Sequence, residues 1–137
     1  MSEATEGSCN CGAVRYRVFG PFGRFQYCHC SRCRKETGSA HAAKLFVSAD
    51  RFEWLAGEER VQRYDHPEAK YWSRGFCSTC GSPMPHETRG GGTMIIPGGS
   101  LDTDPGARPE RSIYFGSRAP WYTPPGELEA FDELPED

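Results

Sequence analysis

Seven cysteines fall into three clusters along 137 residues: Cys9-x-Cys11, Cys28-x-Cys30-x-x-Cys33 and Cys77-x-x-Cys80. Cysteines buried for their apolar bulk have no reason to cluster at such spacings. An odd number also suits a disulfide framework poorly. The pattern points to metal. Phe76-Cys77-Ser78-Thr79-Cys80-Gly81 reads as a zinc knuckle, a tight turn that aims two thiolates at one ion, with Gly81 free to take a left-handed backbone. A knuckle supplies two of the four ligands of a structural zinc. Either Cys9 and Cys11 complete the site, or two of Cys28, Cys30 and Cys33 do. Cys9-x-Cys11 cannot form a site alone, whereas Cys28, Cys30 and Cys33 lie close enough to hold an ion unaided. Pairing the two-residue fragments leaves no orphan. Cys9, Cys11, Cys77 and Cys80 then hold one zinc and Cys28, Cys30 and Cys33 a second, two ions per chain.

The composition shows why such a cross-link is wanted. Leu, Ile, Val and Phe make up 20 of the residues, below the roughly one-fifth at which an aliphatic core becomes thin. Disorder is not the answer, because the net charge is only -3 and aromatics reach 12%. The length fits one domain, here residues 1–137, with 1–6 as an N-terminal extension and 127–137 as a solvated acidic tail. A pI near 5.8 and the lack of a basic tract count against nucleic acid as a partner. The longest aliphatic run, Met94-Ile95-Ile96, is far too short to span a bilayer. The opening Met1–Ser8 has neither a basic nor an apolar stretch of the secretory kind. A cytoplasmic, reducing setting is therefore expected, where clustered cysteines bind metal or do redox chemistry.

The rest of the chain reads as short β-strands. Val14, Tyr16 and Val18 alternate with Arg15 and Arg17 in a half-buried strand that stops at Gly20-Pro21. Further strands are expected at 22–27, 42–47, 52–55, 61–64, 70–76, 93–97 and 112–115. Gly90-Gly91-Gly92 is a turn between two of them and not a phosphate loop, because no helical pattern follows it. Only Ser31–Glu36 looks helical, with Ser31 as N-cap and Cys33 in the first turn. Frequent Gly and Pro between short strands predict small sheets packed face to face.

The Cys28, Cys30 and Cys33 trio is the candidate for chemistry. Three thiolates on a zinc dication leave a fourth position open to water or substrate. Thiolate donation makes such a zinc a poor generator of hydroxide. It suits the ion to holding a substrate thiol as thiolate, below its free pKa of about 8.5. Other readings stand beside this one. His29, His41 or another residue could close the site as a fourth ligand of a second structural zinc, or the trio could be a metal-free redox centre. Arg32, Arg34 and Lys35 could receive an anionic substrate or form a solvated helix face. His29, between two ligands, points its ring away from the ion and is a candidate for an outer or substrate-facing role. His66 and His86 read as surface or packing residues, and Trp72, Trp121 and Tyr122 as core or pocket wall.

Several motifs resemble one known family. Gly7-Ser8-Cys9-Asn10-Cys11-Gly12-Ala13-Val14-Arg15-Tyr16 is similar to the opening of the glutathione-dependent formaldehyde-activating enzyme (GFA) family, which includes CENP-V-like proteins. Cys28-His29-Cys30-Ser31-Arg32-Cys33-Arg34-Lys35-Glu36-Thr37-Gly38-Ser39 resembles its central motif, and Arg74-Gly75-Phe76-Cys77-Ser78-Thr79-Cys80-Gly81-Ser82-Pro83 its knuckle. Pro97–Asp102 and Ser117–Tyr122 resemble later segments. The resemblance covers residues 7 to 133. It implies a β-tent of small antiparallel sheets pinned by zinc, with one short helix. It implies structural zinc on Cys9, Cys11, Cys77 and Cys80, and a second zinc on Cys28, Cys30 and Cys33. The activity it implies joins glutathione to formaldehyde as S-hydroxymethylglutathione, a carbon–sulfur lyase reaction run backward. The substrates are then a small thiol and a small aldehyde, and His29 is a candidate proton donor. A non-catalytic zinc module that binds protein or nucleic acid, and a thiol redox enzyme, are the competing functions.

Overall fold

The computed structural model describes residues 4–135. The strands are β1 (Ala4–Ser8), β2 (Arg15–Phe19), β3 (Phe25–Cys28), β4 (Ala42–Ser48), β5 (Phe52–Ala56), β6 (Val61–Asp65), β7 (Ser73–Cys77), β8 (Pro83–Met84), β9 (His86–Glu87), β10 (Thr93–Pro97) and β11 (Arg111–Ile113). Among the described residues the one α-helix is α1 (Ser31–Thr37). The strands form three small sheets: β1-β2-β5, β11-β3-β4-β10-β9 and β6-β7-β8. The fold is thus mainly β, in small sheets, as expected. All strand pairs within the sheets are antiparallel except one: β11 runs parallel to β3, with Ile113 opposite Cys28. No helix among the described residues is long and apolar enough to cross a membrane.

The main core lies between the first two sheets. Tyr16 and Val18 of β2 face Leu45 and Val47 of β4 and Met94 and Ile96 of β10, with Phe25, Phe52 and Trp54 packed around them. Period-two alternation along these strands sends one face inward and leaves the other polar. Two satellite clusters supplement this core, and each is built around cysteines. One joins Cys9 and Cys77 to Val14 and Met84. The other joins Cys28 and Cys33 to Ala42, with Trp72 and Ile113 against them.

Several boundaries differ from the sequence expectation for local reasons. Residues 4–6, counted above to an extension, belong to β1, which pairs with β2 from Ala4 opposite Phe19 to Ser8 opposite Arg15. Residues 1–3 lie outside the described residues. The strand expected at 70–76 begins only at Ser73, as β7, because 70–72 belong to a loop. Helix α1 is capped by Cys30, not Ser31: the Cys33 N–H donates to Cys30 Sγ at 3.4 Å. At the other end Gly38 takes the left-handed conformation that stops the helix (φ 65°), its N–H on Arg34 O. Residues 127–135 are exposed along their length. Glu136 and Asp137 of the acidic tail lie outside the described residues.

Gly7 shows how tightly the first sheet is set. It lies opposite Tyr16 in the β1–β2 register. The Tyr16 ring passes directly over it, where a Cβ would collide with the ring, and its hydroxyl reaches Ser100 Oγ at 2.6 Å. Tyr16 is fully buried, so the ring has nowhere to go. Gly7→Ala is expected to cost about 1–3 kcal/mol as an overpacked contact. Denaturant unfolding checks this; a change below 0.5 kcal/mol, roughly the scale of an indifferent surface substitution, would mean the ring moves freely.

Candidate metal centres and their cavity

The structure brings the cysteines together in the partition argued from spacing. The Sγ atoms of Cys9, Cys11, Cys77 and Cys80 all lie within 4.8 Å of one another. Cys9 to Cys11 is 3.6 Å and Cys11 to Cys77 is 3.9 Å. Four sulfurs about 2.3 Å from a tetrahedral zinc stand about 3.8 Å apart, so the set has the size of that ion. Two tight turns hold it. The Gly12 N–H bonds Cys9 O and the Gly81 N–H bonds Cys77 O, and both glycines have positive φ. Backbone donors already point at the sulfurs: Val14 N–H at Cys9 Sγ (3.3 Å) and Thr79 N–H at Cys77 Sγ (3.4 Å). The Ser82 side chain, 3.2 Å from Cys80 Sγ, and then the Ser82 backbone hold that thiol down at about 5. Such donors favour thiolate, the form a metal takes.

The trio forms where β3 runs into α1. Cys28 ends the strand, Cys30 caps the helix and Cys33 sits in its first turn. Their Sγ atoms also lie within 4.8 Å of one another, and no further His, Cys, Asp or Glu joins the group among the described residues. A hydrogen bond from Cys33 lowers the Cys28 thiol, and the same contact together with burial raises that of Cys33. From outside the motif, the Trp72 indole N–H donates to Cys33 Sγ at 3.5 Å. The donor set fits zinc with a free coordination position.

The two histidines weighed as closing ligands stand elsewhere. His41 stacks on Tyr27 with 4.1 Å between ring centroids, and its Nδ1 faces Ala42 O. His29 is fully buried, boxed by His41, Phe115 and Tyr122. Neither of its ring nitrogens has a hydrogen-bond partner among the described residues. Burial, then the charges of His41 and Arg118, lower its pKa.

The trio opens on a cavity of about 560 Å³, in the size range of small-molecule sites. Its cations are Arg32, Lys44, Lys70 and Arg89, and Phe46, Tyr71, Trp72 and Ile113 give apolar wall. Arg89 pairs with Asp65 at 3.8 Å, whereas Arg32, Lys44 and Lys70 make no ion pair among the described residues. A second cavity of about 670 Å³ shares Lys44, His86 and Ile95 with the first and extends toward Cys9 and Ser82. His86 is buried. Burial first, then the charges of Lys44 and Arg63, hold it down at about 4, so it presents a neutral imidazole to both cavities.

Some of these residues were legible and others were not. Trp72 is pocket wall as expected, and Arg32 lines the cavity. His86 is buried, the packing alternative of its expectation, and also lines both cavities, while Trp121 is 65% exposed and lines neither. Lys44 and Lys70 were missed. Lys44 had a signal: it is the one charge in the apolar run Ala42–Val47.

Comparison with known proteins gives a consistent result. The sequence model of the family described as "Glutathione-dependent formaldehyde-activating enzyme" matches residues 4–117. A Halomonas elongata protein named "Putative glutathione-dependent formaldehyde-activating enzyme" is 40% identical over 84 residues, which are 58% of this chain and 53% of that protein. The match therefore spans about half the length of that relative. A crystal structure of a Rhodobacter sphaeroides protein superposes with a TM-score of 0.57 at 25% identity, covering 78% of this chain and 97% of the other.

Proposed function

The chain belongs to the glutathione-dependent formaldehyde-activating enzyme family, and we propose that it joins glutathione, or another small anionic thiol, to formaldehyde in the cavity beside Cys28, Cys30 and Cys33. One observation carries this reading. A three-sulfur group, with no fourth protein ligand among the described residues, faces a cavity whose cations Arg32, Lys44 and Lys70 make no ion pair among the described residues. Cys28, Cys30 and Cys33 would hold a zinc ion, and Cys9, Cys11, Cys77 and Cys80 a structural one. Zinc bound at the trio would supply a positive charge that favours the thiolate over the thiol form of a ligand near neutral pH.

The protein's own groups do the rest. The Cys33 N–H and the Trp72 indole fix the sulfurs of Cys30 and Cys33. Arg32, Lys44 and Lys70 draw in a carboxylate-bearing thiol. Apolar wall beside the trio excludes water from one side of the sulfur. The substrate sulfur gives its lone pair to the carbonyl carbon, and the C–S bond forms. The π pair of C=O moves to oxygen, and the proton of the thiol ends on that oxygen through water. His29 does not line the cavity, so we give it no proton step. The sum is addition without loss of any atom, a carbon–sulfur lyase reaction in reverse. A reducing cytoplasm would be the setting that keeps the seven cysteines reduced and able to take metal.

The experiment is to follow the adduct from ¹³C-formaldehyde by NMR against the protein-free rate. Lys44→Ala is expected to raise KM for glutathione about tenfold, the loss of one charge-assisted contact. With uncharged 2-mercaptoethanol its rate stays within about twofold of the parent, because that thiol makes no such contact. Equal losses with both thiols, or no rate above background, would contradict the reading.

A further inference from the structure

Arg89 makes a set of contacts outside both cysteine groups. It stands on the turn between β9 and β10, in the second sheet. Its guanidinium bonds, however, go to the third sheet: to the loop that connects β6 to β7 and to Ser73, the first residue of β7. Nη1 donates to Ala69 O (2.8 Å) and, more weakly, to Lys70 O (3.4 Å). Nη2 donates to His66 O and Trp72 O, both at 2.8 Å. Nε donates to Ser73 Oγ at 3.2 Å. Residues 66–72 have little to hold them otherwise: His66 N–H to Trp72 O, Ala69 N–H to His66 O and Glu68 N–H to His66 Nδ1.

Both ends of this clamp are themselves fixed. Ser73 Oγ donates to Asp65 Oδ1 at 2.6 Å, and Asp65 also takes Arg63 Nε at 2.8 Å. The turn that carries Arg89 is closed by Thr88 N–H on Thr93 O and by Gly92 N–H on Glu87 Oε2. The loop it holds supplies Lys70, Tyr71 and Trp72 to the wall of the trio cavity, and Trp72 places its N–H on Cys33 Sγ.

We propose that Arg89 is a positioning residue for the trio: by gripping the carbonyls of residues 66–72 it sets the Trp72 indole on Cys33 and closes that side of the thiol cavity. The inference rests on the reading of this cavity as the thiol site. The planar fork is essential, because it satisfies several carbonyls at once from one rigid group. A lysine keeps the charge and the stem but offers a single ammonium. Arg89 also lines the cavity, but it makes no hydrogen bond to a sulfur and acts on the trio through Trp72.

The test is the indole N–H resonance of Trp72 in the ¹H–¹⁵N spectrum of the full chain, assigned by its loss in Trp72→Phe. In Arg89→Lys that resonance is expected to move toward the position of a free indole and to exchange with solvent about tenfold faster or more. The indole signals of Trp54 and Trp121 stay in place and report that the fold is intact. Activity with glutathione falls about tenfold in Arg89→Lys and in Trp72→Phe, and the double variant falls no further, as expected for two residues acting as one unit. An unmoved Trp72 signal, or losses that multiply in the double variant, overturns the proposal. A moved signal in a protein with no thiol-transfer activity even as wild type upholds the positioning and overturns only the activity.

Discussion

Cys77→Ala yields a chain without a cooperative fold. Cys77 is fully buried, at the end of β7, and its sulfur sits 3.9 Å from that of Cys11, 66 residues earlier in the chain. Zinc on the quartet would therefore tie the start of the chain to the third sheet. Structural zinc contributes on the order of 10–16 kcal/mol in small zinc domains, as large as the whole stability of an ordinary domain, about 5–15 kcal/mol. The aliphatic core here is too thin to stand in for it. Near-UV circular dichroism and calorimetry are expected to show no sharp transition, and the zinc content to fall. A variant that still melts cooperatively within a few degrees of the parent would mean the quartet does not brace the fold.

Cys33→Ala gives the opposite result, a folded protein without activity. The trio closes only a short loop, from Cys28 to Cys33, where the quartet closes one of 66 residues. Loop closure alone makes the longer link worth about 2 kcal/mol more. The segments around the trio are also held independently. Strand β3 is paired on both sides, by β4 and β11, and His29 N–H bonds Ile113 O. Loss of one of three ligands is expected to reduce thiol transfer on the order of 10³-fold or more, as for removal of a member of a unit that acts together. The melting transition stays sharp, and one zinc per chain remains. Retained activity would place the chemistry elsewhere.

The contrast between these two variants follows from what the sequence could and could not reveal. The cysteine partition was legible because ligand spacing is a local property: each fragment announces how many sulfurs it can aim at one point. The strands in the core were legible for the same reason, through alternation. Strand β1 was not, because its inward positions are Thr5 and Gly7, both buried and neither apolar enough to mark a strand. The parallel pairing of β11 with β3 depends on a path of more than eighty residues, and no pattern within either strand encodes it. The cap of α1 was misplaced because a cysteine sulfur took the part that a serine hydroxyl normally plays.

The site divides in the same way. Trp72 could be marked as wall from its aromatic neighbours, but its bond to Cys33 spans 39 residues. Arg89 was invisible because its acceptors are mostly backbone carbonyls, which every residue carries. His29 attracted notice by lying between two ligands. Alternation along the extended chain turns its ring to the opposite side from the sulfurs, into an aromatic box.

The central claim is a closed group of four sulfurs beside an open group of three, and zinc X-ray absorption on the purified chain tests it most directly. The account predicts two zinc ions per chain, with an average of about 3.5 sulfur neighbours that rises to about four when glutathione is added. A single ion per chain, or a sulfur count that glutathione leaves unchanged, would contradict it.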